Sequence, residues 1–419
     1  MDSNKLVPRI VELAATISAS VTTIDEILTI QGIESPSFRE DAPVCFPKEA
    51  CDARDAVLDA TAELYDLLLE PMTSIYKHGG HNNSICLQAV SRFHIASLVP
   101  PGGQISFAEI ARQIGLGEQI VRRVLRHAMT MRIFHEPEPG MVAHTKSSKT
   151  LRNPVMNDWI KCGTHEMWSA STKMLDAVQK WPSSSEPNET GFSLANDTSE
   201  SLYSILGRNP ERAALFANAM KIYTVKPEYN PSYIVDHYDW ASLGDAQVVD
   251  IGGSQGHIAM ALARRFSNLK IVVQDMEQVV QHAGARVPEQ FEERVKFMAH
   301  DFFSPQTVQA NVFFLRWILH NWSDKYCIRI LRAQVPMLRP GATIIIQDSC
   351  MPEPGAIPLW KEQDLRSSDL QMATLFNARE RTVAEWKALL QEAHPGFVLK
   401  RKIEPKGSAL AILEVIWAD

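Results

Sequence analysis

Apolar residues recur with two different periods along this chain, and the change of period divides it. Residues 1–34 and 55–73 repeat at helical spacing, with Val57, Ala60, Leu64, Leu67 and Leu68 marking one face of the second stretch. Between them, 35–52 is polar and broken by three prolines, which predicts a loop or a crossing segment. HGGHNN at 78–83 reads as a turn, and 84–99 is helical again. After Pro100-Pro101-Gly102-Gly103, Ser106 precedes a helix with Glu109 three residues on, the pattern of a capping box. Gly115-Leu116-Gly117 turns the chain into a second helix over 118–131. Residues 133–135 and 141–143 then predict two short strands around a Pro-Glu-Pro-Gly turn. This order is a helix-turn-helix with a wing. Residues 151–245 read as largely helical, interrupted by a loop at 181–192 and restarted by Asn209-Pro210.

From residue 246 the period changes. AQVVDIGGSQGHIAMALARRFSNLKIVVQD (246–275) is a β-branched run, a glycine loop, a helix with Ile258, Leu262 and Phe266 on one face, and a second run ending in Asp275. Further strands are predicted at 295–298, 312–317 and 342–347, helices at about 362–375 and 382–393, and a terminal antiparallel hairpin from 397–403 and 409–417. The expected fold class is α/β: a seven-stranded, Rossmann-like doubly wound sheet of the methyltransferase variant, behind an N-terminal winged-helix region. The expected division is 1–150 helical and winged-helix, 151–240 helical linker and lid, and 241–419 nucleotide-binding.

The glycine spacing carries chemistry. Pyrophosphate-binding loops read G-x-G-x-x-G, whereas here Gly252 and Gly253 are adjacent, Gly256 follows, and Asp250 lies two residues before the first. A carboxylate at the end of the first strand suits a ligand with an ammonium group. S-adenosylmethionine (SAM) has one and NAD does not. Asp275 is placed to accept hydrogen bonds from ribose hydroxyls. A tight βα turn that binds nothing is the plain alternative.

Composition narrows the function classes. With 419 residues the chain exceeds one core, and 45% hydrophobic with 22% charged residues is ordinary for a globular enzyme. A net charge of −7 argues against nucleic acid as the main partner. No apolar run stands out as a membrane span of about 20 residues, so no membrane partner is expected. Six cysteines without paired spacing predict a reduced, cytoplasmic protein, and no Cys/His cluster calls for a metal.

Together VVDIGGSQGH (248–257), VQD (273–275), HDFF (300–303), LRWILHNWSD (315–324), LRPGATIIIQD (338–348) and NARERT (377–382) resemble the plant and fungal SAM-dependent small-molecule O-methyltransferases, specifically the fungal secondary-metabolite branch. The resemblance runs from about residue 55 onward. It implies that Gly252, Gly253 and Gly256 cradle SAM, that Asp275 holds the ribose, that Asp301 and Phe302 flank the adenine, and that Arg316 is a basic residue near the cofactor. His320 matches the catalytic base, and Asp348 and Glu380 the carboxylates that flank it. Asn321 stands where the family usually has aspartate, and Asp348 is one methylene shorter than the plant glutamate. Winged helices of this family form homodimers.

The chemistry stands beside the resemblance. A phenol with a pKa near about 10 is a poor nucleophile at neutral pH, and a histidine within reach that takes its proton is worth about 10²–10⁴ in rate. The expected substrate is an aromatic or polyketide-derived small molecule, with Met167, Phe216, Met220, Met372 and Asn377 as candidate pocket residues, although methionine-rich faces also serve as plain core. Two other functions compete: a pericyclase that binds SAM without transferring methyl, and a DNA-binding regulator using Arg122, Arg123 and Arg126. His320 favours methyl transfer over the first, and the acidic charge disfavours the second.

Overall fold

Residues 246–251 are rich in β-branched side chains and form strand β3 (Ala246–Ile251), where Val248, Val249 and Ile251 are all buried. Burial on both faces is the mark of a central parallel strand. The structure, a computed structural model, describes residues 7–281 and 283–418. Seven strands form the main sheet: β3, β4 (Leu269–Asp275), β5 (Val295–Ala299), β6 (Val312–Arg316), β7 (Thr343–Asp348), β8 (Phe397–Ile403) and β9 (Ala411–Trp417), in the order β5-β4-β3-β6-β7-β9-β8. The first five are parallel; β9 runs antiparallel to both β7 and β8. The chain winds outward from β3 through β4 to β5, then returns to place β6 on the other side of β3. The direction of winding therefore reverses between β3 and β6. A doubly wound sheet binds its ligand at the carboxyl ends of strands at such a point.

Contacts divide the chain into two compact units. The second comprises Ser169–Pro210, Lys221–Ala356 and the residues from Leu365 onward, and it contains the whole seven-stranded sheet. Its core lies on both faces of the sheet, with Phe313, Leu315, Ile344 and Trp386 on one side and Val248, Leu262, Phe314 and Trp240 on the other.

The first unit runs to Trp168 and adds Glu211–Met220 and Ile357–Asp364. Its winged-helix core gathers Phe107, Ile110, Leu125, Phe134 and Val142. Ser106 caps the helix Phe107–Ile114 by accepting the Glu109 N–H. The expected box does not close, because the Glu109 carboxylate goes to Arg112 and Gln113 instead. The wing also differs. Strand β2 (Met141–Ala143) pairs with β1 (Gln104–Ser106), and of 133–135 only His135 makes a single bridge to Ala143. The turn at 78–83 gives way to a helix that already begins at His81 (His81–Arg92), and His94, at a left-handed φ of 50°, breaks it from Ile95–Leu98.

One expectation is corrected near the N-terminus. The helix Arg9–Gln31 is, by length and composition alone, apolar enough to cross a membrane. Its charged residues fall near its two ends, Arg9 and Glu12 against Asp25 and Glu26, which leaves an apolar middle that a residue-by-residue scan passes over. The helix packs along Cys51–Leu68 and buries Leu13, Ile24 and Leu28. Residues 1–6 of the predicted N-terminal helix lie outside the described residues.

Candidate active site

At the end of β3 the backbone turns through Gly252 (φ +69°) to Gly256 (φ +72°), left-handed conformations that glycine adopts without penalty. Space forbids a side chain as well: a Cβ on Gly256 would come within 2.7 Å of the Phe297 ring, and one on Gly253 within 2.5 Å of Asp250 Oδ2. The loop is tied to the end of β4, since the Gly252 and Gly253 N–H groups donate to Gln274 O at 2.8 and 3.1 Å. The Ser254 N–H donates to Asp275 Oδ2 at 2.9 Å, and the Met276 N–H to Asp275 Oδ1 at 2.8 Å. These two bonds fix the Asp275 carboxylate, while burial pushes its pKa up.

Asp250 is buried directly beneath Gly253, and its Oδ2 has no hydrogen-bond partner. Burial, with the Asp275 charge adding to it, raises its pKa to about 7. A buried carboxylate oxygen without a donor is costly unless a ligand supplies one. An ammonium group above a side-chain-free loop, with ribose hydroxyls toward Asp275, meets that need, so these residues fit SAM. Nearby, Asp301 Oδ1 accepts the Phe303 N–H at 2.9 Å, which sets the start of the Phe302-Phe303 turn. Arg316, at the end of β6, donates to Gln347 Oε1 and Tyr229 O, both at 2.7 Å. Burial lowers its pKa to about 10.

Across the switch point, β6 runs into Trp317, held at φ +53°, and then a single 3-10 turn, Leu319–Asn321. Asn321, where the family's aspartate is absent, donates its side-chain amide to Trp317 O at 2.9 Å and closes this turn. His320 Nδ1 lies 3.0 Å from Glu380 Oε1. An ionised carboxylate only accepts, so Nδ1 carries the hydrogen and Nε2 is left with a lone pair. Burial, the largest single influence, pulls the His320 pKa down, but the hydrogen bond and charge of Glu380 and the charge of Asp348 outweigh it, and the net direction is up. The two carboxylates are not equivalent. Glu380 touches the imidazole, whereas Asp348, fully buried at the end of β7, has no hydrogen-bond partner on either oxygen. Burial raises the Asp348 pKa to about 7, against the pull of His320.

Comparison with known proteins places this arrangement. Residues 179–398 match the O-methyltransferase domain, and residues 78–153 match the O-methyltransferase dimerisation domain. The O-methyltransferase PaMT of Phomopsis amygdali is 44% identical over 412 residues, 98% of this chain and 96% of the relative. The chain belongs to the O-methyltransferase family. It is a SAM-dependent enzyme of the fungal secondary-metabolite branch. Among its relatives, the chlorophenol O-methyltransferase of Trichoderma longibrachiatum is 34% identical, over 98% of this chain and 91% of the relative. Solved structures share the fold. LepI in complex with SAM superposes with a TM-score of 0.74 at 23% identity, over 97% of this chain and 100% of LepI. OxaC in complex with sinefungin and meleagrin gives 0.74 at 20%, over 96% and 99%.

The candidate pocket residues of this O-methyltransferase divide between the two units. Met372 is buried in the second, on the helix Leu359–Phe376. Asn377, at φ +52°, spends both amide hydrogens on Glu186 O and Glu189 O, each at 2.8 Å, and so clamps the 186–189 loop. In the first unit, Met167 ends a π-turn (Gly163–Met167), and Phe216 and Met220 lie one helical turn apart, both half-buried, on Pro210–Met220. The buried Glu166 pairs with Arg212 of that helix. Two features escaped sequence reasoning. Tyr223, Tyr229 and Trp317 pack edge to face with centroids 4.7–5.2 Å apart, and Trp317 also stacks on His320 at 6.5 Å. No periodicity links 223–229 to 317. Two of the three arginines of the regulatory alternative are also engaged: Arg122 pairs with Glu118 and Arg126 with Glu136, and both lie over Phe107.

Proposed function

We propose that the enzyme methylates a phenolic or enolic hydroxyl of a small aromatic or polyketide-type metabolite, with His320 as general base. The observation that carries this reading is the 3.0 Å contact of His320 Nδ1 with Glu380, which leaves Nε2 as the proton acceptor beside the sheet's switch point. The chlorophenol acceptor named for one relative supports a phenol. SAM supplies an electrophilic methyl group on a sulfonium. His320 Nε2 takes the hydroxyl proton as the oxygen becomes nucleophilic. Glu380 holds the tautomer and stabilises the imidazolium, and Asp348 adds negative charge without a direct bond. Asp250 receives the cofactor's ammonium under the Gly252, Gly253 and Gly256 backbone, Asp275 the ribose hydroxyls, Asp301 and Phe302 the adenine edge, and Arg316 is the basic residue near the cofactor. Met372 serves the acceptor side within the second unit, and Asn377 acts there through the loop it clamps. In this reading 1–150 serves dimerisation, 151–240 the acceptor lid and 241–419 catalysis. The experiment is incubation with methyl-labelled SAM and a panel of phenolic acceptors. Labelled product supports methyl transfer. Conversion of substrate without label, with His320→Ala still active, replaces it with a pericyclic reaction.

The rate also depends on pH with a definite sign. Only neutral imidazole accepts the proton, and the His320 pKa is raised. The acid limb of kcat therefore lies above the ordinary histidine value of about 6.5. His320 and Asp348 are coupled through their charges, so the apparent pKa belongs to the pair. A pH–rate profile flat across the range of about pH 5–8, where a histidine base titrates, contradicts this base.

The enzyme is further proposed to act as a cytoplasmic homodimer. Its dimerisation domain supports the dimer, as does an apolar surface on Leu67, Leu68, Met72, Ile75 and Tyr76, of which Tyr76 is 87% exposed. All six cysteines are free, in keeping with a reducing compartment. Light scattering at micromolar concentration is expected to give twice the 47.0 kDa chain mass. A single-chain mass refutes the dimer, whose interface should exceed about 2,000 Å².

A further inference from the structure

One buried cation in the second unit has no part in the chemistry above. Arg381 is fully buried, and burial of a guanidinium is costly unless every N–H finds an acceptor. Its Nε and Nη2 donate to Asp324 Oδ1 at 2.9 and 2.7 Å, Nη2 also to Trp322 O at 3.0 Å, and Nη1 to Leu319 O at 3.3 Å. Leu319 and Trp322 are the residues on either side of His320-Asn321. Arg381 is also the immediate neighbour of Glu380, whose carboxylate accepts from the imidazole. A single dipeptide therefore grips the turn that carries His320 at two carbonyls and meets its ring at a third point. The dipeptide is itself anchored, because the Met351 N–H donates to Arg381 O at 2.9 Å and Cys350 bridges Arg381, just beyond Asp348 at the end of β7.

The geometry points to Arg381 as a positioning residue that sets the His320–Glu380 contact and, through it, the basicity of His320. The inference rests on the reading of His320 as the base. Lysine cannot take the same role, since one ammonium does not present the planar fork that reaches Leu319 O, Trp322 O and Asp324 together. Asp324 is in turn held by a second cation, with its Oδ2 accepting from Arg379 Nη2 at 2.6 Å. Loosening the fork moves the turn away from Glu380. The charges facing His320 are Glu380 and Asp348, which raise its pKa, and Arg381, which lowers it. Lysine keeps the positive charge at 381, so the change left is the weaker contact with Glu380, which lowers the His320 pKa.

The test is Arg381→Lys in the full-length enzyme, read in three ways: binding of S-adenosylhomocysteine by calorimetry, kcat against pH, and the His320 ring titration by NMR with ¹⁵N-labelled histidine. The expected result is unchanged cofactor binding, a kcat lower by about tenfold, and a His320 midpoint and acid limb both displaced to lower pH. A residue that only adds stability leaves that midpoint where it is. A folded variant with kcat within about threefold of wild type and an unmoved His320 midpoint overturns the proposal. If Arg381→Lys does not fold, Asp324→Ala, which removes the oxygen that anchors the fork at a half-exposed site, carries the same expectations and the same refutation. Full activity of His320→Ala would remove the base reading alone, because the ring titration still reports whether Arg381 sets the His320–Glu380 contact.

Discussion

Replacing His320 by alanine lowers kcat by about 10²–10⁴ and leaves cofactor affinity nearly unchanged. The size follows from the role. A neutral phenol offers little anion at pH 7, and Nε2 is the acceptor left open once Nδ1 is committed to Glu380. The selectivity follows from place: His320 lies on the turn after β6, while the glycine loop and Asp275 follow β3 and end β4. Glu380→Gln removes the charge that raises the imidazole pKa but keeps an acceptor for Nδ1–H, so its loss is smaller and its acid limb moves to lower pH. Asp348→Asn costs less than His320→Ala as well, because Asp348 makes no hydrogen bond to the ring. Steady-state kinetics over pH together with calorimetry of S-adenosylhomocysteine check the set. A His320→Ala enzyme with wild-type kcat contradicts the mechanism.

Asp275→Ala weakens cofactor binding by about 1–3 kcal/mol, the cost of removing a hydrogen-bonded, half-buried charge, or roughly 5- to 150-fold in Kd. Two losses combine. On the proposed role of Asp275 the ribose hydroxyls lose their acceptor, and the glycine loop loses the anchor that Asp275 provides to the Ser254 N–H at 2.9 Å. Ser254 sits at φ +52°, a conformation that a non-glycine residue keeps only when its neighbours impose it. Asp275→Asn separates the two effects, since its carbonyl oxygen can still accept the loop N–H while the charge is gone. Its loss should lie between wild type and alanine. Calorimetric titration with SAM and S-adenosylhomocysteine reads the outcome, and an Asp275→Ala enzyme with unchanged Kd excludes Asp275 from cofactor binding.

Much of the sheet was legible because its signals are local. Short stretches rich in apolar residues marked all seven strands, with shifts of a residue or two at their ends. Helix starts with a capping residue were as clear, and Thr382 caps Val383–Ala393 with Glu385 closing the box. The wing was misread where the local cue was weakest. Residues 133–135 are apolar enough for a strand, but Phe134, at φ +64°, turns into the winged-helix core and leaves Gln104–Ser106 to pair with β2.

The sequence by itself determined the class of this protein. A glycine loop between a strand and a helix, an acid at the end of each of two strands, and a histidine after a fourth sheet strand are all features of neighbouring residues, set by backbone sterics and side-chain periodicity. Only the tertiary structure decided which groups meet at the candidate site. Glu380 lies 60 residues from His320, and nothing in either segment says that the carboxylate meets Nδ1 while Asp348 stays unbonded. Asn377 clamps a loop 188–191 positions away in the chain, which its own segment does not announce. Arg381 drew no notice beside Glu380, although it holds both sides of the histidine turn. Hydrogen bonds of a few ångströms between distant segments depend on how the whole core packs, and local periodicity carries no information about that distance.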